Sequence, residues 1–139
     1  ELTTLQFMLR TQCVCLYGED VIPTLPRFKI DASAIAHSRS LKKDIQDTLD
    51  GYHSCSWIVK RIVRVGLEIS MIEEQVYTRD LYPCYQVFSK HYPDWAGKMR
   101  KALELAIQPS KDMQEVKSIL TSLGYFLVSE VERKNLNEF

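Results

Sequence analysis

The segment Tyr77-Thr78-Arg79-Asp80-Leu81-Tyr82-Pro83-Cys84-Tyr85 crowds three phenols, a guanidinium and a carboxylate into nine residues. Turns are normally built from Gly, Pro, Asn, Asp and Ser, so this composition exceeds what a connector requires. Phenol rings can stack on a base and a guanidinium can meet a phosphate. Tyr77, Arg79, Asp80, Tyr82 and Tyr85 are therefore candidate binding residues, forming a polar wall for a substrate or nucleotide. The structural alternative is a junction in which Arg79 and Asp80 cap neighbouring helix ends while the tyrosines fill the edge of a bundle.

A second group lies just upstream. Helical spacing of about 100° per residue puts Lys60, Arg61, Arg64, Glu68 and Gln75 on one polar arc. Guanidinium forks bind planar anions bidentately, which adds Arg61, Arg64 and Glu68 to the candidate substrate-binding set. The plainer reading is a solvated helix face with an i,i+4 pair between Arg64 and Glu68, worth a few tenths of a kcal/mol. Glu73 and Glu74 sit one turn before the tyrosine-rich segment and are suited to general-base use only with a positioned partner. His37, His53 and His91 fall in three separate segments with no metal-ligand spacing. Cys13, Cys15, Cys55 and Cys84 make no C-x-x-C pair, so neither a zinc signature nor a redox pair is expected. No residue is assigned a catalytic role, and none a metal.

The elements that must position these groups follow from hydrophobic periodicity. Residues 2–16 alternate Leu5, Phe7 and Leu9 against Gln6 and Met8, which reads as a strand. Residues 17–20 are a turn, and the two prolines at 23 and 26 keep their predecessors extended. From Asp31, a good N-cap, the chain reads as helical. A first helix ends at Gly51; a second is capped by Ser54 and runs to Val76; a third, about Leu81 to His91, starts after Thr78; a fourth is capped by Asp94; a fifth is capped by Ser110. The second helix carries the seam Ile58, Ile62, Val65, Ile69, Ile72 and Val76, with Val59, Val63, Gly66 and Leu67 on another apolar side. A helix buried on two sides sits centrally, and Gly66 in its middle predicts a close helix approach.

The expected fold is all-α, an antiparallel bundle of about five helices preceded by one short strand or extended arm. Its expected divisions are 1–22 for the arm, 23–30 for a linker and 31–139 for the bundle. At 139 residues one ordinary domain buries roughly two-thirds of the surface its unfolded chain exposes. Eighteen basic residues balance eighteen acidic ones, so a non-specific nucleic-acid binder is not expected. The longest uncharged stretch falls short of the roughly 20 residues of a membrane span. With no signal peptide evident, the expected setting is cytoplasmic, with reduced thiols.

The run Leu16-Tyr17-Gly18-Glu19-Asp20-Val21-Ile22-Pro23, followed by helices and then by Tyr77-Thr78-Arg79-Asp80-Leu81-Tyr82-Pro83-Cys84-Tyr85, resembles the helical carboxy-terminal part of bacterial nucleotidyltransferase-domain proteins. These belong to the polymerase-β-like superfamily, and their helical halves are similar to HEPN and kanamycin-nucleotidyltransferase carboxy-terminal domains. The resemblance implies a domain that helps to hold substrate or a partner beside an α/β catalytic half. That half supplies a Gly-Ser turn for the nucleotide phosphates and an Asp-x-Asp pair for magnesium, and neither occurs in this chain. Magnesium and a nucleoside triphosphate are thus implied only for a full-length parent, with the catalytic half fused in cis or lost. The opening Glu1 and lone strand suggest a fragment whose residues 2–16 are the last strand of such a half. The ribonuclease motif of HEPN proteins, an Arg four to six residues before a His, is also absent. Two other expectations stand beside this one: a helical protein-interaction or homodimerisation module, and an RNA-binding accessory domain using Lys60, Arg61 and Arg64.

Overall fold

A computed structural model describes residues 2–27 and 29–136 of the chain. The described residues are all helical or irregular, with no strand. The expected opening strand is instead helix α1, Leu2–Gln12. Leu, Gln, Met and Arg are strong helix formers, and a short apolar run that satisfies period two at Leu5 and Leu9 satisfies i,i+4 as well. Residues 13–21, after α1, are irregular, with Val14, Leu16, Tyr17 and Val21 exposed.

Asp31 caps the next element as expected, its carboxylate accepting from Ser33 N at 2.9 Å. The helix it opens begins as a 3-10 stretch, Ala32–Ser40, and becomes α2, Leu41–Leu49. Gly51 closes it with φ of 88°, a left-handed conformation that a side chain would strain. Ser54 caps α3, Cys55–Glu68, accepting from Trp57 N at 3.3 Å.

Helix α3 is the centre of the molecule. Both apolar sides are buried: Ile58, Ile62 and Val65 on one, Val59, Val63 and Leu67 on the other. It packs on α2, on α5 (Leu81–His91) and on α6 (Ala96–Ile107). It also meets α7 (Met113–Ile119) and α8 (Tyr125–Leu136). A β-carbon at Gly66 would lie 2.6 Å from Met99 Cε and 3.1 Å from Phe88 Cδ2, so glycine is what lets α5 and α6 come this close. Phe88 then starts an aromatic ladder, stacking on Tyr92 at 5.0 Å, which meets Phe126 edge-on at 5.6 Å. Phe126 stacks on Trp95 at 4.2 Å.

Several helix ends depart from the sequence reading. The long second helix stops at Glu68, and Ser70 turns its hydroxyl back to Gly66 O at 3.2 Å, a bond that competes with helix continuation. A short turn, α4 (Met71–Glu74), ends at Gln75 with φ of 53°. The Gln75 amide both accepts from Ile30 N and donates to Ile30 O, each at 2.9 Å, fastening Ile30 to the core. Helix α5 spans Leu81–His91 as expected; Asp80 holds its N-cap position without a side-chain cap bond, and Thr78 Oγ1 accepts from Asp80 N at 3.1 Å. Asp94 lies inside a 3-10 turn, Pro93–Trp95, and so caps nothing. Asp112 displaces Ser110 as the cap of α7, accepting from Gln114 N at 2.9 Å. Helices α7 and α8 are continuous through a π-helical turn, Leu120–Gly124. No described helix is long and apolar enough to cross a membrane.

Candidate anion-binding pocket

The break after Glu68 and the left-handed Gln75 fold residues 77–79 back over the polar arc of α3. Between them lies a cavity of about 330 Å³ whose lining includes Arg61, Arg64, Glu68, Tyr77 and Arg79. Five of the eight expected binding residues thus share one space. Arg61, Arg64 and Glu68 arrive together because spacings of three and seven keep them on one helix face. Thr78, Trp57, Met71 and Leu67 complete the nearby wall, Ala34 and His37 enter from the 3-10 stretch, and Met8 reaches in from α1.

The other three expected residues lie elsewhere. Asp80 is exposed at the N-cap of α5; Tyr82 is exposed; Tyr85 is half-buried against the core, its ring 6.1 Å from that of Tyr82. Once α5 begins, successive side chains rotate away from the pocket, so the tyrosine-rich segment divides into a site half and a structural half. Lys60 is likewise outside the lining. Trp57, His37 and Met8 are pocket residues that sequence reasoning does not single out. Helix periodicity from Arg61 offers Trp57, four residues earlier, but no sequence signal points to His37 or Met8.

The three arginines differ in what they already hold. Arg61 is the most engaged: three of its five N–H donors are taken, Nε by Asp44 Oδ2 at 2.7 Å and Nη2 by His37 O at 2.5 Å and Ser40 Oγ at 3.0 Å. Arg64 makes a single long contact, Nε to Arg79 O at 3.4 Å. The Arg79 guanidinium has no hydrogen-bond or ion-pair partner among the described residues. Two guanidinium forks therefore face a cavity with donors to spare, the arrangement that receives an oxyanion.

Glu68 is the acid of the lining. It is partly buried and accepts a hydrogen bond from the Ser38 hydroxyl. Removal from water raises its pKa above the ordinary glutamate range, against the opposing pull of Ser38, Arg61, His37 and Arg79. Nearby Cys84 is fully buried, and burial pushes its thiol up to about 12, so it is an inert packing group and not a nucleophile. Glu73 and Glu74 do not line the pocket: Glu73 pairs with Lys134 at 2.8 Å, and Glu74 with Lys90 at 2.6 Å and His91 at 2.9 Å.

Among the described residues no three of His, Cys, Asp and Glu gather closely enough to hold a metal ion. A magnesium ion of the kind the catalytic halves carry does not fit the groups at the pocket, three guanidiniums against the single carboxyl of Glu68. No protein-family model matches the chain, and neither a curated protein nor a solved structure matches it at significant similarity.

Proposed function

We propose that this chain is the helical, substrate-binding part of a nucleotidyltransferase, an antiparallel bundle around α3 that holds an anionic group in the pocket between Arg64 and Arg79. The observation that carries the reading is that two guanidinium groups line one small cavity without an acidic partner of their own. Trp57 and Tyr77 add aromatic surface beside the charge, which suits a ligand with a flat ring and a phosphate. About 330 Å³ is near the lower end of the roughly 300–1,000 Å³ typical of small-molecule sites, which suits a mononucleotide-sized ligand better than a polymer. Nucleotide transfer, with its magnesium and nucleoside triphosphate, belongs on this reading to a catalytic half, joined in cis or separate. The chain's own part is to bind. Calorimetric titration with AMP tests it: saturable binding that Arg79→Ala weakens at least about tenfold, or about 1.4 kcal/mol, supports the pocket.

A second reading, a protein-interaction or homodimerisation module, is favoured by the exposed apolar run Val14, Leu16, Tyr17 and Val21 beside α1, since apolar groups gathered on a surface mark contact sites. Sedimentation of the purified chain separates the two: a dimer dissociated by Leu16→Ser and Tyr17→Ser, with no uptake of AMP, favours the interface.

A further inference from the structure

Glu68 stands among arginines and pairs with none of them. Arg61 beside it is spent on Asp44 and on His37 O, Arg64 leans on the Arg79 backbone carbonyl, and Arg79 reaches Glu68 only at long range. The Glu68 carboxyl takes its hydrogen bond from a neutral hydroxyl, Ser38 Oγ. An ionised carboxylate next to guanidinium forks with free donors would be expected to draw one of them into a bidentate pair. The Ser38 hydroxyl would serve an ionised carboxylate equally well; it is the lack, among the described residues, of any guanidinium within ion-pair reach of Glu68, with Arg61 turned to Asp44, that leaves the group open to a proton. On the α5 side the buried Cys84 thiol lies within electrostatic reach of both Glu68 and Asp80, and neither Cys84 nor Asp80 brings positive charge.

An anion seated on Arg64 and Arg79 would lie beside this acid. With Glu68 ionised the two negative charges oppose each other; with Glu68 protonated its O–H becomes a further donor. Two forks and an O–H offer more donor directions than the two oxygens of a carboxylate ligand can accept, and a tetrahedral oxyanion has the oxygens to meet them.

We propose that the pocket takes the phosphate of a small phosphomonoester together with one proton, which resides on Glu68; the inference rests on the anion-binding reading above. Glu68 is then the residue that decides when the pocket accepts its ligand. Binding that takes up a proton weakens as pH rises.

The test is AMP binding by calorimetry at about pH 6 and about pH 8, in two buffers of different ionisation enthalpy, for the unmodified chain, Glu68→Gln and His37→Gln. The second ionisation of AMP itself contributes equally to all three, so differences report the protein. The expected result is that the unmodified chain takes up close to one proton more per AMP than Glu68→Gln does. Its affinity also falls with pH at least about tenfold more than that of Glu68→Gln. His37→Gln retains the uptake. Equal proton uptake and equal pH dependence in the unmodified chain and Glu68→Gln overturn the inference while leaving the anion-binding reading intact. Uptake lost in His37→Gln and kept in Glu68→Gln overturns it by moving the proton to the imidazole. If neither AMP nor inorganic phosphate binds the unmodified chain, both the inference and the reading beneath it fall.

Discussion

Two polar clusters flank the same core, and they are built from similar residues to opposite effect. In the cluster where the end of α5 meets α8, the acids are paired. Glu74 meets Lys90 and His91, Glu130 accepts from Tyr92 Oη at 2.8 Å, and Arg133 closes on Glu130 at 2.8 Å. In the pocket, Arg61 is answered by Asp44 while Arg64 and Arg79 keep donors unused and Glu68 keeps its distance from all three. Composition alone does not distinguish a structural junction from a site. The difference lies in whether the donors are already taken, because only unspent ones can meet a ligand.

The largest change is expected where both clusters share a support. Phe88 is fully buried, touches the Gly66 position and stacks on Tyr92. Phe88→Ala should cost about 3–5 kcal/mol in urea unfolding and erase the contrast by loosening both regions. Arg61→Ala sharpens it: this arginine belongs to the pocket by position but to the structural kind by its bonds, and its loss leaves Asp44, only 15% exposed, with the Ser40 hydroxyl but no ion-pair partner. A stability loss of about 1–3 kcal/mol is expected. A loss below about 0.3 kcal/mol would show that Arg61 is as free as its neighbours. Tyr92→Phe, in the closed cluster, should cost about 1 kcal/mol and leave AMP binding untouched.

The smallest effects are those of pH, and here the clusters oppose each other in sign. The Arg133 and Tyr92 hydrogen bonds hold Glu130 below the ordinary glutamate range, outweighing its burial. Its contribution is present above that range and is lost as pH falls through the lowered pKa. Burial holds Glu68 above that range. It therefore costs stability as pH rises through the interval from the ordinary range to its raised pKa, and costs nothing below it. Thermal melts should find Glu130→Gln destabilising and Glu68→Gln stabilising at about pH 8, with both differences shrinking toward about pH 4. The same sign for both variants at the higher pH would contradict the contrast.

Much of this was legible from residues alone, in proportion to how local the cause is. The seam from Ile58 through Val65 to Ile69 and the caps at Asp31 and Ser54 follow from short-range spacing and hydrogen bonding, as does the glycine stop at Gly51, and they stand where periodicity puts them; the seam's expected continuation fails past the break, where Val76 is exposed. At α7 the cap went to a carboxylate two residues on, Asp112 over Ser110. The opening helix was hidden because Leu5 and Leu9 serve both periods. In the pocket, Arg61, Arg64 and Glu68 were legible as one helix face. That Tyr77 and Arg79 return to that face while Tyr82 and Tyr85 leave it depends on the left-handed Gln75 and its grip on Ile30. His37 and Met8 come from distant segments, and nothing in their local sequence marks them.

The central claim is that Arg64 and Arg79 are held open for an anion, and the most direct test is AMP titration of the unmodified chain and of Arg79→Ala, each with its melting temperature. Saturable binding that falls at least about tenfold in Arg79→Ala, at an unchanged melting temperature, is the predicted result. Equal binding by both forms, or none by either, would contradict the claim and return the tyrosine-rich turn to the status of a structural junction.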